Sequence, residues 1–205
     1  MKNSLAQAKN AFSVESGALV KMIDFIDEKS FDSAVKVLAK AKRIAASGCG
    51  HTGIACMHLA HLLCCIEKSA KFISPSEAVH GGSGFLQAGD VMVIASRGGK
   101  TAELVPIVEI CKEKKVTVIC VTENLKSPLA LKSDIVLGIT VTRETDRDNQ
   151  QGTTSFTVMN VLFDALQAAL IEETNYHKEQ FALIHPGGAV GERLNRKKHE
   201  KRKQQ

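Results

Sequence analysis

The stretch "VIASRGGKTAEL", Val93 to Leu104, leaves an apolar run through Ser96, Gly98, Gly99, Lys100 and Thr101 and enters a helical segment. Hydroxyls, unhindered backbone N–H groups and an ammonium at a helix start all favour the same ligand charge. Together they suit a phosphate monoester. The spacing is not that of a P-loop, because Ile94 stands where that motif needs its first glycine. A Gly-rich turn closed by a Thr cap is the plain structural alternative.

Three other junctions carry groups with chemistry. In "SGCGHTGIA" (47–55), Gly48, Gly50 and Gly53 match the Gly-x-Gly-x-x-Gly dinucleotide spacing. The glycines let the backbone turn tightly, and Thr52 is suited either to hydrogen-bond a ligand or to cap the next helix. The second strand ends in Ser74, not in the carboxylate that a ribose requires, so no nicotinamide cofactor is expected. "SPSEAVHGGSG" (74–84) offers His80, readable as a site-lining group or as a turn histidine. "VTRETDRDNQQGTTS" (141–155) is long and charged, places Glu144 at a strand's exit and ends in a Thr153-Thr154-Ser155 cap. Inside a compact domain such a loop is more often functional than idle, although Glu144 also reads as a solvated carboxylate.

Junctions of this kind need a sheet to hold them. Short runs rich in Val, Ile and Ala at 43–47, 70–73, 91–96, 116–121 and 134–139 read as buried strands. Between them, 53–66, 101–113 and 153–173 have helical periodicity, and two helices, 3–27 and 31–41, come before any strand. Strands apolar on both faces imply a parallel sheet covered by helices on each side. Ligands then sit beyond the carboxyl ends of the strands. The segment 176–183 and the turn "HPGGAVG", with His185, close the fold.

About one domain is expected from 205 residues that are 44% hydrophobic and 24% charged. No run reads as a membrane span and "MKNSLAQAKN" lacks a signal peptide's apolar core, so a cytoplasmic protein is expected. Cys49, Cys56, Cys64, Cys65, Cys111 and Cys120 lie in apolar contexts without a Cys-x-x-Cys pair, which suits core thiols and no metal site. The net charge of +5 is concentrated in "RKKHEKRKQQ" (196–205), expected to be a disordered basic tail. One Tyr and no Trp leave little for base stacking, so nucleic acid is not an expected partner.

Taken together, the four junctions resemble the sugar isomerase (SIS) domain family of phosphosugar-binding modules, over roughly residues 30–195. That family's signature, Ser-x-Ser-Gly-x-Ser/Thr-x-Glu/Asp, reads here Ser96-Arg97-Gly98-Gly99-Lys100-Thr101-Ala102-Glu103. More narrowly, "SPSEAVHGGSGFLQAGDVMVIAS", "LKSPLALKSDIVLGITVTRE" and "HPGGAVGERL" are similar to the D-arabinose 5-phosphate isomerases, without their C-terminal CBS repeats. The resemblance implies an α/β three-layer sandwich, flavodoxin-like, with a five-stranded parallel sheet in order 2-1-3-4-5. It implies an N-terminal helix (1–30) for oligomer contact, a phosphosugar domain over 31–195 and then the tail. Its chemistry is an aldose–ketose interconversion through an enediol, without metal or cofactor, in a homodimer or homotetramer that shares sites through helices 3–27 and 153–173.

Residue by residue, the resemblance implies Glu144 as base, His185 and His51 in proton transfer, and His80 in the His-Gly loop. Ser96, Gly98, Gly99, Lys100 and Thr101 fall on the phosphate, and Gly50, Thr52 and Thr153 on the substrate loops. Two positions depart from the branch: His51 stands for a Lys and Lys100 for a Glu. Lys100 either binds phosphate or pairs with Glu144, and Lys100 and Arg97 are candidates to replace the hydroxyl lost at Gly98. These departures keep two other readings open. One is a phosphosugar-sensing module without turnover; the other is a hexulose-phosphate isomerase, a lyase or a deaminating isomerase of the same fold.

Overall fold

The structure is a computed structural model that describes residues 3–202. Five strands, β1 (Ile44–Gly48), β2 (Ala70–Phe72), β3 (Val91–Ala95), β4 (Thr117–Thr122) and β5 (Ile135–Gly138), pair in parallel in the order β2-β1-β3-β4-β5. This is the expected topology. β1 and β3 are buried along their whole length, which is why their sequences are apolar without alternation.

Helices cover both faces. On one, α1 (Ser4–Phe25), α2 (Glu28–Lys40), α3 (Gly50–Cys64) and α7 (Thr154–Glu173) enclose a core that includes Leu38, Leu59, Leu63 and Phe163. On the other, α4 (Pro75–Val79), α5 (Val105–Glu113) and α6 (Pro128–Lys132) pack Ile107 and Leu129 against Met92, Ile94 and Val118. α7 is the described helix long and apolar enough, by length and composition, to cross a membrane. Here its apolar side meets α1, α2 and α3, and Val158, Leu162, Phe163 and Leu166 are buried.

α4 and α6 were not legible as periodic segments because each is five residues long. Both start at a Ser-Pro pair whose serine, Ser74 or Ser127, accepts the N–H of Glu77 or Ala130. At the chain's end, α8 (Lys178–Ile184) is followed by α9 (Gly188–Arg202), which begins inside the expected "HPGGAVG" turn. The side chains of the basic tail expected over 196–205, and its last three residues, lie outside the described residues. At the amino ends of the strands, Asp90 is 2% exposed and accepts the Arg43 N–H (3.1 Å), Arg43 Nε (2.7 Å) and the Gln87 N–H (2.8 Å), joining β1 to β3.

Candidate functional site at the carboxyl ends of the strands

Gly48 and Ala95 are register partners, so the loops leaving β1 and β3 run side by side. In the second loop, Ser96 is buried and its Oγ lies 2.8 Å from the Thr101 hydroxyl. The Gly99 N–H donates both to the Ser96 carbonyl (3.0 Å) and to Ser96 Oγ (3.1 Å). Gly99 has φ +65°, and a Cβ there would collide with Ser127 Oγ, so only glycine fits the turn. Gly98 and Lys100 are exposed on the turn's rim. The turn is therefore held rigidly from within and presents a cation outward.

Arg97 does not join that rim. Its Nε donates to Glu123 at 2.9 Å and an Nη1 to Glu144 at 2.6 Å. The alternative of a Lys100–Glu144 pair is thus replaced by an Arg97–Glu144 pair, because the strand's exit geometry aims residue 97 toward the β4 and β5 loops. Glu144 has no exposed surface. Its second oxygen accepts the Ser155 N–H (3.1 Å) and the Thr153 hydroxyl (3.2 Å), at the start of α7, where the helix dipole favours a carboxylate. Thr153 does not cap α7; its hydroxyl serves Glu144 and accepts from Thr145. A base that takes a carbon-bound proton needs a lone pair open to substrate, and here both oxygens of Glu144 are engaged.

His51, second residue of α3, is exposed beside the same loop. Its ring meets Phe156 edge-on at 5.9 Å, and a Cβ on Gly152 would lie 3.4 Å from its Nδ1. The Thr52 hydroxyl turns inward and donates to the Cys49 carbonyl at 2.6 Å. The dinucleotide-like spacing has a packing cause: a Cβ on Gly53 would stand 2.7 Å from the Gly48 carbonyl oxygen, where α3 rests on its own strand. His80 ends α4, which packs on the 3-10 turn Ala102–Leu104 that follows the Ser96–Thr101 turn. Its Nδ1–H donates to the Ser76 carbonyl at 2.7 Å and the ring is exposed.

Residues 37–169 match the SIS domain family. The chain belongs to that family. Arabinose 5-phosphate isomerase KdsD of Pseudomonas aeruginosa is 34% identical to this SIS chain over 187 residues, 91% of this chain and 57% of that protein. KdsD of Francisella tularensis is 31% identical over 198 residues, 95% of this chain and 60% of that protein. The chain thus spans little more than half the length of these curated relatives. Among solved structures, a Listeria monocytogenes protein described as a candidate sugar-phosphate isomerase is 36% identical, with a TM-score of 0.88 over 91% of this chain and 100% of that one. An Escherichia coli protein in complex with arabinose 5-phosphate is 29% identical, with a TM-score of 0.84 and the same coverage.

Within this SIS domain, Gly50, His51, Thr52, Ser96, Gly98, Gly99, Lys100 and Thr101 share adjacent loops, with Glu144 and Thr153 packed beside them. His185 is elsewhere. It caps α8, with its ring 4.9 Å from Phe181 and its Nδ1 buried without a hydrogen-bond partner. α8 lies over the far ends of α3 and α7, where Gln180 donates to Glu67 and an apolar cavity is lined by Cys65, Ile171, Tyr176 and Phe181. From His51 to Cys65, α3 rises about 21 Å, so one SIS chain does not bring His185 to His51. Glu123, Ser127 and Phe156 went unnoticed in the sequence. Their contacts with Arg97, Gly99 and His51 join segments far apart in the chain and leave no local spacing to read.

Proposed function

We propose that this SIS domain interconverts an aldose phosphate and a ketose phosphate, with arabinose 5-phosphate and ribulose 5-phosphate the first pair to test. The turn Ser96–Thr101, rigid around Gly99 and rimmed by Lys100, is the observation that carries the reading, and the KdsD relatives support it. Phosphate seats on the turn's N–H groups, the Thr101 hydroxyl and Lys100. His51, exposed on the neighbouring loop, takes the C2 proton; the C–H electron pair becomes the C1–C2 double bond while the carbonyl pair moves to O1, which takes a proton from water, giving an enediol. Return of the His51 proton to C1, with the O2–H proton leaving to water, forms the carbonyl at C2. No step in this scheme calls for a metal or cofactor.

His185 enters from a second copy in a homodimer or homotetramer. α1 offers the surface for it, with Leu5, Phe12, Val20 and Ile23 all exposed, and Val161 of α7 adds to it. The place of work is the cytoplasm. One observation favours a second reading, phosphosugar sensing without turnover: the carboxylate aligned with the family's base is buried and fully engaged.

Incubation with pentose and hexose phosphates in deuterium oxide separates the two readings. Deuterium is expected at the carbons next to the carbonyl for at least one sugar. Binding of a sugar phosphate without exchange for any of them would leave the sensor.

A further inference from the structure

We propose that Arg97 is a positioning residue that acts through Glu144 to hold His51. The side chain follows Ser96 of the anion turn yet leaves the turn's rim, spreading its fork over two carboxylates from different loops. Nε donates to Glu123 at 2.9 Å and Nη1 to Glu144 at 2.6 Å. Glu123 in turn accepts the Val141 N–H at 3.2 Å, so the guanidinium ties the β4 loop to the chain leaving β5. Glu144, wholly buried, passes the constraint on to Ser155 and Thr153 at the start of α7. The residues flanking that start are the ones against His51: Gly152, whose Cβ position is 3.4 Å from its Nδ1, and Phe156, whose ring meets it at 5.9 Å.

A continuous path therefore runs from Arg97 to the imidazole. Arginine suits it because a planar fork serves two carboxylates at once, whereas an ammonium is a single centre. Loss of the guanidinium leaves a buried carboxylate without its cation, and the loop must shift to hydrate it. Glu144 is then an anchor, and the proton transfer belongs to His51. The geometric half of this proposal stands alone; the half that concerns turnover rests on the isomerase reading above.

Arg97→Lys, Arg97→Met and Glu144→Gln test it, each first checked for folding by circular dichroism and thermal melting. In the ligand-free protein, imidazole proton–nitrogen spectra, assigned with His51→Gln, should show His51 displaced in Arg97→Met and less so in Arg97→Lys. In the deuterium-exchange assay, Arg97→Met should lower kcat about ten-fold or more while KM for the sugar phosphate stays within about three-fold. Arg97→Lys should recover part of kcat. Gly152→Val crowds His51 without touching the ion pair and should reproduce the kcat loss, which keeps the idea testable if an Arg97 variant unfolds. Unmoved His51 signals across the variants would overturn the proposal. So would a Glu144→Gln protein that loses all exchange while His51 stays in place, because Glu144 would then be the base. An unaltered chain that exchanges no sugar phosphate removes the isomerase reading only, and the His51 spectra still decide the path from Arg97.

Discussion

Lys100 and Arg97 are separated by two glycines and are placed differently, one exposed on the rim of the Ser96–Thr101 turn and the other bound to two carboxylates. Lys100→Ala should weaken binding of phosphorylated sugars about ten-fold while leaving free sugars nearly unchanged, since only a phosphate gains from the ammonium. Titration calorimetry with a sugar and its phosphate checks this, and equal losses for both would remove the phosphate role. Gly99→Ala should cost about 2 kcal/mol or more, because φ is +65° and the new Cβ would collide with Ser127. Thermal melting reads that loss. Burial pushes the Cys56 and Cys120 thiols up to about 12 and Cys111 to about 11. Iodoacetamide at pH 8 should therefore modify the exposed Cys64 in the folded protein and spare these three until it unfolds. Mass spectrometry of the alkylated, folded chain decides, and early labelling of Cys120 would count against the buried placement.

Elements position the site through the loops between them. Asp146 organises the 141–153 loop by accepting the Gln150, Gln151 and Asp148 N–H groups, and these bonds hold its carboxyl below the usual carboxylate range. A depressed folded value means that the contribution is present above the ordinary carboxylate pKa and fades as pH falls through the lower one. Loop order should therefore be flat from neutral pH down to about 5 and decline only in stronger acid. Asp146→Ala should speed amide exchange at Gln150 and Gln151 at neutral pH, and unchanged rates would deny the loop this anchor. At the opposite end of the sheet, Asp90→Ala strips three hydrogen bonds from the β1–β3 junction and should cost about 2 kcal/mol, lowering Tm by about 4–8 °C. That position lies at the opposite end of β3 from the proposed phosphate turn, so sugar-phosphate binding should survive it.

At the scale of the whole molecule, one chain holds the Ser96–Thr101 turn and His51 on adjacent loops but carries His185 at the far ends of α3 and α7. The proposed oligomer makes a specific forecast. Ile23→Glu or Phe12→Glu, on the exposed face of α1, should drive the protein toward a monomer in sedimentation and reduce exchange activity with it. A monomeric variant with full activity would show that the site is complete in one chain. The order of five strands, the layers around them and the glycine turn after β3 were legible in the sequence, because each follows from local signals: apolar runs, helical periodicity and Gly-Gly-Lys-Thr after a strand. Strand boundaries shifted by one residue and helix boundaries by up to four, and α4 and α6 escaped because five residues show no period. The carboxylate at the exit of β5 could be singled out from its position, but not its burial, nor that Arg97 rather than Lys100 would face it. Those facts depend on how loops from β3, β4 and β5 converge, and convergence is decided by packing across strands, which no spacing along the chain records.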